Sequence, residues 1–367
     1  MRTMRNDITK VKEINVELIK SALKKLGKAT KAQIADETDI SVATCGKILN
    51  ELCASGEVLE DAITSSGYGR PAKSYVYNGN FSLIASIYVA TDCGKTNISF
   101  RVCNLLGELL EESTEEMTKP TYDTLEEKIT VLIGKYEKLR VISIGVPGYI
   151  TDGIIGLCNF IDLMGLPLCS SLQEKFPNHK ILVENDMNAA AFGFYKENCG
   201  ARDTSVAFIY CPINAQTGWE KLIEENPDLK LSDEAKTMLN LSINFGAGFV
   251  SNGQILRGFT GFAGEVSFLP VICSHPADEV RASVDAVSYI IGSIVPILNP
   301  ETIVLTGGYF DRQIIEEIQN RCLRIIAPQH MPQIVLRSSV YDEYVSGLFH
   351  LGMEELSSSV VLVQRRA

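Results

Sequence analysis

The segment Ile181-Leu-Val-Glu-Asn-Asp-Met-Asn-Ala-Ala-Ala191 runs from an apolar strand into a helix of small residues, which sets Asn185 and Asp186 at the mouth of an α/β crevice beside a helix N-terminus. A carboxylate there can take a hydroxyl proton as general base, or hold a polyol through hydrogen bonds. A plain helix N-cap suits the same residues equally well. Glycine turns recur at strand ends, in Asn244-Phe-Gly-Ala-Gly-Phe-Val-Ser-Asn-Gly253, Gly258-Phe-Thr-Gly-Phe-Ala-Gly-Glu265 and Thr302-Ile-Val-Leu-Thr-Gly-Gly-Tyr309. Upstream, Thr91-Asp-Cys-Gly-Lys-Thr96 joins two apolar strands, Ile84–Ala90 and Asn97–Cys103, and could offer backbone N–H groups to a phosphate. A plain hairpin is the simpler reading of that turn. Several glycine turns at strand ends point to one ligand approached from several sides, in a cleft between two stacked domains.

A different chemistry is suggested near the start of the chain. Val11, Ile14, Leu18, Ala22 and Leu26 form a helical stripe that Ile19 and Leu23 broaden, and Gly27 ends it. A second helix, from Lys31 to Thr38, buries Ile34 and Ala35. A third starts at the N-cap Ser41 and buries Val42, Cys45, Ile48, Leu49, Leu52 and Cys53 before Gly56. The spacing is that of a helix-turn-helix. Ala43, Thr44, Lys47 and Asn50 then face outward, small or hydrogen-bonding groups suited to base edges and phosphates. Two alternating strands, Glu57-Val-Leu-Glu and Ser74-Tyr-Val-Tyr, flank Ser65–Lys73 as a wing that carries Arg70 and Lys73. Such a unit could instead serve only packing or dimerisation. Gly46 favours the DNA reading, because a glycine inside a helix costs about 1 kcal/mol against alanine and lets a backbone approach closely.

Length, charge and cysteines bound the rest. At 367 residues, 46% hydrophobic and 22% charged, the chain has enough apolar content for two or three packed domains, which excludes wholesale disorder. The net charge of -11 is unevenly spread. Residues 1–79 carry 12 Lys+Arg against 10 Asp+Glu, whereas residues 80–367 carry 22 against 35, so nucleic-acid contact is expected only from the first segment. Ten scattered cysteines with no C-x-x-C pair suggest free, buried thiols. No apolar run approaches ~20 residues and the start lacks the apolar stretch of a secretion signal, so a cytoplasmic location is expected.

Taken in order, these strings resemble the ROK family (repressors, open reading frames, sugar kinases), in its branch of sugar-responsive transcriptional repressors. The resemblance runs through Asp39-Ile-Ser-Val-Ala-Thr-Cys-Gly-Lys-Ile-Leu49 and Gly69-Arg-Pro in the front part. In the body it runs through Gly145-Val-Pro-Gly148, Val183-Glu-Asn-Asp-Met-Asn-Ala-Ala190 and Gly261-Phe-Ala-Gly-Glu265. It implies an α/β chain with three parts. Residues 1–79 would be a winged helix-turn-helix and 80–193 the first lobe of an actin-like sugar-kinase fold, completed by a helix at about 346–367. Residues 194–345 would be the second lobe, with an insertion at about 213–237 that holds Trp219. It further implies that Asn159, Asn185, Asp186 and Glu265 face a sugar, with Asp186 catalytic only in a kinase. Asp92, Gly94 and Thr96 would form a first phosphate turn, Gly246 and Gly248 the remnant of a second, and Gly307 and Gly308 the nucleotide side. Lys31, Ser41, Ala43, Thr44, Lys47, Arg70 and Lys73 become the candidate DNA contacts.

Departures from the family pattern shape the expectation as much as the matches do. Lys95 stands where the first phosphate turn has a second glycine, and Ser242-Ile-Asn244 stands where the next turn has Gly-Thr-Gly. The Ile-Gly-His that follows Gly-Glu is replaced by Val-Ser-Phe, and Cys273 with His275 cannot fill a tetrahedral zinc site. Ser267 then marks altered sugar selectivity. The expectation is a sugar-sensing DNA-binding regulator, dimeric on a two-fold operator, with no zinc or other cofactor. An ATP- and magnesium-dependent sugar kinase that keeps a DNA-binding part is the alternative.

Overall fold

The computed structural model describes residues 2–62, 73–92, 95–117, 119–156, 158, 160–200, 202–211, 245–270, 284–307, 310 and 312–357. Arg70, Gly94, Asn159, Gly308, the 213–237 segment with Trp219, Cys273 and His275 lie outside the described residues, as do the side chains of Asp92 and Lys95.

At the front, α1 (Arg2–Leu26), β1 (Lys28–Thr30), α2 (Lys31–Thr38) and α3 (Val42–Ser55) precede a hairpin of β2 (Val58–Ala62) and β3 (Lys73–Tyr77). Ser41 caps α3 by accepting the Thr44 N–H at 3.2 Å, and Gly56 ends it at φ +81 with its N–H on the Cys53 carbonyl. Strand β1 joins the hairpin in the antiparallel order β1-β3-β2, an element that the sequence pattern did not suggest. The α1 stripe is also corrected. Its buried centre is Ile19, Ala22 and Leu23, while Val11 and Leu26 are exposed. Val42, expected in the core, is 53% exposed: it shares the side of Cys45 and Leu49 but stands at the open N-terminal end of α3.

The body holds two sheets of matching topology. In the first, β4 (Leu83–Asp92), β5 (Lys95–Asn104) and β6 (Leu109–Met117) form an antiparallel meander, beside which β7 (Leu139–Val146) and β10 (Lys180–Asn185) add in parallel. In the second, β11 (Ser205–Tyr210), β12 (Gly246–Ser251) and β13 (Gln254–Ile255) form the meander, and β14 (Thr302–Thr306) and β15 (Gln333–Leu336) the parallel extension. A short hairpin, β8 (Ile150–Thr151) and β9 (Ile154–Ile155), follows β7. Helices α4 (Tyr122–Lys135) and α5 (Leu168–Lys175) cover the outer face of the first sheet. Helices α7 (Val284–Leu298) and α8 (Arg312–Cys322) cover that of the second. No described helix is long and apolar enough to cross a membrane.

Between the sheets run α6 (Asp186–Asn198) and α9 (Tyr341–Leu356). A Cβ on Gly193 would fall on the Glu343 carbonyl oxygen, and one on Gly347 on the Ala189 carbonyl oxygen, so the two backbones touch. Helix α9 starts at Tyr341 and runs to Leu356, not from about 346, and the expected lobe boundary at 193/194 falls inside α6. The front unit is not set apart by a polar linker. Its buried Ile19, Leu23, Tyr75 and Tyr77 share one apolar core with Ile84, Leu105 and Val141 of the body, and Phe349 and Met353 of α9 pack against it.

This packing sets the cost of adding a methyl group. Gly347→Ala should destabilise the chain by about 1–3 kcal/mol in urea unfolding, because neither backbone can retreat without opening the layer between the sheets. Gly134→Ala, on the exposed side of α4 with open space around it, should instead stabilise by about 0.4–1 kcal/mol.

Candidate functional site

The body's chemistry gathers where β10 meets α6. Asn185 is the N-cap of α6, and its Oδ1 accepts the Asn188 N–H at 2.9 Å. Its Nδ2 donates to the Gly148 carbonyl and to Asp186 Oδ1, both at 3.0 Å. The N-cap reading of Asn185 is the one these bonds show, and the cap leaves its amide beside the Asp186 carboxylate. Asp186 Oδ1 also accepts the Met187 N–H at 2.8 Å. Burial pushes the Asp186 carboxyl up to about 6, against the pull of these donors. Glu265 is pushed up to about 7, by burial and then by the charge of Asp186, so the two acids share one electrostatic environment. Asn185 and Asp186 are hydrogen-bonded neighbours, and Glu265 lies near enough to feel the Asp186 charge.

The loop that delivers Glu265 is held by backbone contacts. Gly261 (φ +76) lies against the Ile150 carbonyl oxygen and Gly264 (φ +104) against that of Ala247, positions that a side chain could not share. Behind the cleft lies a group that sequence reasoning missed. Glu184, 6% exposed, accepts from the Asn185 N–H at 3.0 Å and from Asn188 Nδ2 at 3.1 Å, and its other oxygen takes Arg257 Nε at 3.0 Å together with Arg257 Nη2. A lone glutamate closing an apolar strand was the available signal. Its partner is 73 residues away, so spacing could not supply it.

At the front, Ser41, Ala43, Thr44, Lys47 and Asn50 are all exposed along one side of α3, opposite the buried Cys45, Ile48, Leu49 and Leu52. The hydroxyls of Ser41 and Thr44 lie 2.8 Å apart. Lys31, the first residue of α2, is half-buried with its side chain against Gly46. Gly46 is thus a contact between α2 and α3 and not an opening for a DNA backbone. Lys73 is exposed but bound to Glu60 at 2.7 Å across the hairpin, so part of the expected wing charge is already matched.

Residues 88–219 match the ROK family. This stretch, about a third of the chain, is similar to ROK family proteins. The chain is 26% identical over 282 residues to a xylose repressor of Caldicellulosiruptor bescii, covering 72% of this chain and 62% of that protein. It is 27% identical over 200 residues to a glucokinase of Halalkalibacterium halodurans, covering 50% of each. The chain thus spans about three fifths of the length of the repressor that it matches. A solved ROK family transcriptional regulator, a homologue of the E. coli MLC protein, superposes with a TM-score of 0.63 at 16% identity, over 94% of this chain and 100% of that one. The mixed α/β fold is the one seen in ROK proteins.

At several of the expected phosphate-turn positions the glycine backbone lies against the protein's own chain. Gly248 backs onto the Met187 carbonyl, Gly246 lies by the Met187 side chain, and Gly307 (φ +82) fits against the Tyr210 ring. The glycines of these strand ends permit close approach of chain to chain. Thr96 lies on β5 opposite Thr91, in a hairpin whose strands pair as far as Asp92 and Lys95. Ser267 is buried and donates to the Phe245 carbonyl at 2.9 Å, so it does not line the cleft and the selectivity assigned to it is withdrawn. Among the described residues no group of three His, Cys, Asp or Glu side chains could hold a metal ion.

The raised carboxyls have a pH signature. A carboxyl whose pKa is higher folded than unfolded adds stability below its unfolded value near 4, and that stability is lost as pH rises through 6 to 7. Glu265→Gln and Asp186→Asn should therefore raise Tm relative to the wild type at pH 8, and raise it clearly less at pH 5. Thermal melts at the two pH values check this, and equal shifts at both would contradict the burial of the two charges.

Proposed function

We propose that this chain is a sequence-specific DNA-binding transcriptional regulator of sugar metabolism, a repressor whose kinase-like body senses a sugar and does not phosphorylate it. In this reading residues 1–79 are a winged helix-turn-helix, and the body is a two-lobed sugar-kinase fold with its effector held by Asn159, Asn185, Asp186 and Glu265. The observation that carries it is the outward side of α3, where Ser41, Ala43, Thr44, Lys47 and Asn50 are solvated and the third helix of a trihelical unit presents them for groove contact. The charge split supports it, since the -13 of residues 80–367 would repel phosphate while the front segment is slightly basic. The identity to a xylose repressor supports the sugar.

The effector must bind the two arrangements of the lobes unequally, for a ligand with equal affinity for both shifts nothing. The shared core of the front unit with Val141 and α9 would carry any change in the body to α3. A symmetric dimer then meets, or misses, the half-site spacing of a two-fold operator.

Duplexes selected from a random pool by the full chain, followed by anisotropy titration, test the reading. Lys47→Ala should cost about 1–3 kcal/mol if it contacts a base, or lower the salt slope by about one if it contacts phosphate, and Arg70→Ala should weaken binding further. No selected duplex, or unchanged affinity in both variants, overturns it. The kinase reading has one specific support. The Asp186 carboxyl at about 6 suits a general base near neutral pH. Steady sugar-phosphate formation from ATP, magnesium and a hexose panel would establish it in place of a pure sensor.

A further inference from the structure

We propose that a cavity at the free edge of β10 is a second small-molecule site, separate from the Asp186–Glu265 cleft, and that it takes a neutral polyhydroxylated molecule of monosaccharide or cyclitol size. The cavity measures about 350 Å³, within the range of small-ligand pockets. Ile150 and Asp152 of the β8–β9 hairpin, Val183 of β10 and Arg257 and Phe259 of the following loop wall it, with Cys169 of α5 behind them. Asn185, Asp186 and Glu265 are not among its lining residues.

The polar groups define what fits. Asn188 lines the cavity and is 5% exposed. Its Nδ2 is spent on Glu184, and among the described residues its Oδ1 has no hydrogen-bond partner. That oxygen is itself sealed from solvent, so Asn188 closes the inner wall, and the polar groups a ligand can reach are those of Arg257 and the exposed Asp152. Both oxygens of Glu184 are occupied and its charge is matched by Arg257, while the exposed Asp152 of the hairpin adds one carboxylate that can accept from ligand hydroxyls and would repel an anion. Arg257 is about half exposed and has N–H groups beyond the two that hold Glu184, which can donate to a ligand oxygen. The Phe259 ring, fully exposed at the rim, offers an apolar face, as do Ile150 and Val183. A molecule with hydroxyl edges and C–H faces meets both sets.

The position gives such a ligand leverage. One wall comes from the hairpin after β7 and the other from the loop after β13, and these already meet where the Thr151 hydroxyl donates to the Thr260 carbonyl. Occupancy would fasten the two together beside the first turn of α6. The proposal does not depend on DNA binding, so it can fail while the regulatory reading stands.

Calorimetric titration of the full chain with D-xylose, D-glucose and myo-inositol tests it, in a background of Asp186→Asn with Glu265→Gln that disables the cleft. At least one probe should still bind in that background. Cys169→Trp, which fills the cavity from α5, should weaken this binding at least tenfold, and Phe259→Ala should weaken it severalfold. Phe259 is fully exposed, so its variant keeps the test valid if Cys169→Trp does not fold. Absence of binding for all three probes in the cleft-disabled background overturns the proposal, as does binding that Phe259→Ala leaves unchanged.

Discussion

The backbone contact between α6 and α9 is the constraint on which the rest depends. Gly193 and Gly347 let the two helices close to carbonyl distance between the sheets, and few pairs of helices in a globular protein approach so tightly without small residues. The first turn of α6 carries the cleft carboxylate. The first half of α9 sets the Tyr344 ring over Gly145, with the hydroxyl lacking a partner among the described residues, while its second half packs Phe349 and Met353 against the core of the front unit. The helix pair therefore joins the turn that carries Asp186 to the core of the front unit.

Electrostatics add a second tension at the same junction. The helix N-terminus and its N–H donors favour ionised Asp186, yet burial wins and raises it, and the charge of Asp186 in turn raises Glu265. Two acids held near neutrality beside hydrogen-bond donors suit hydroxyl groups, which can donate to or accept from either protonation state. Glu184 resolves the matching problem on the other side, where Arg257 and two donors leave it fully satisfied. The cleft is poised and the wall behind it is neutralised.

Local signals were legible and distant ones were not. Ser41, Gly56 and the apolar spacing between them specified α3 because caps and helical period act within a few residues. Val183 to Ala190 likewise declared a strand running into a helix. Gly46 is buried against the flexible end of the Lys31 side chain on another helix, a neighbour that spacing could not name. The strand-end glycines pose the same problem, for a glycine reports close approach without naming what approaches. Neither the pairing of Glu184 with Arg257 nor the matching order of the two sheets leaves a short-range trace, and the core shared by the front unit and the body joins residues as far apart as Ile19 and Met353.

The central claim is that sugar occupancy of the body and duplex binding by α3 are one coupled equilibrium. Linkage makes this measurable from either side, because each ligand must alter the affinity of the other by the same factor. The most direct measurement is the affinity of the full chain for its selected duplex with and without saturating D-xylose, paired with the affinity for D-xylose with and without the duplex. The account predicts equal factors of at least fivefold in the two pairs. Sugar that binds while leaving duplex affinity unchanged would contradict it.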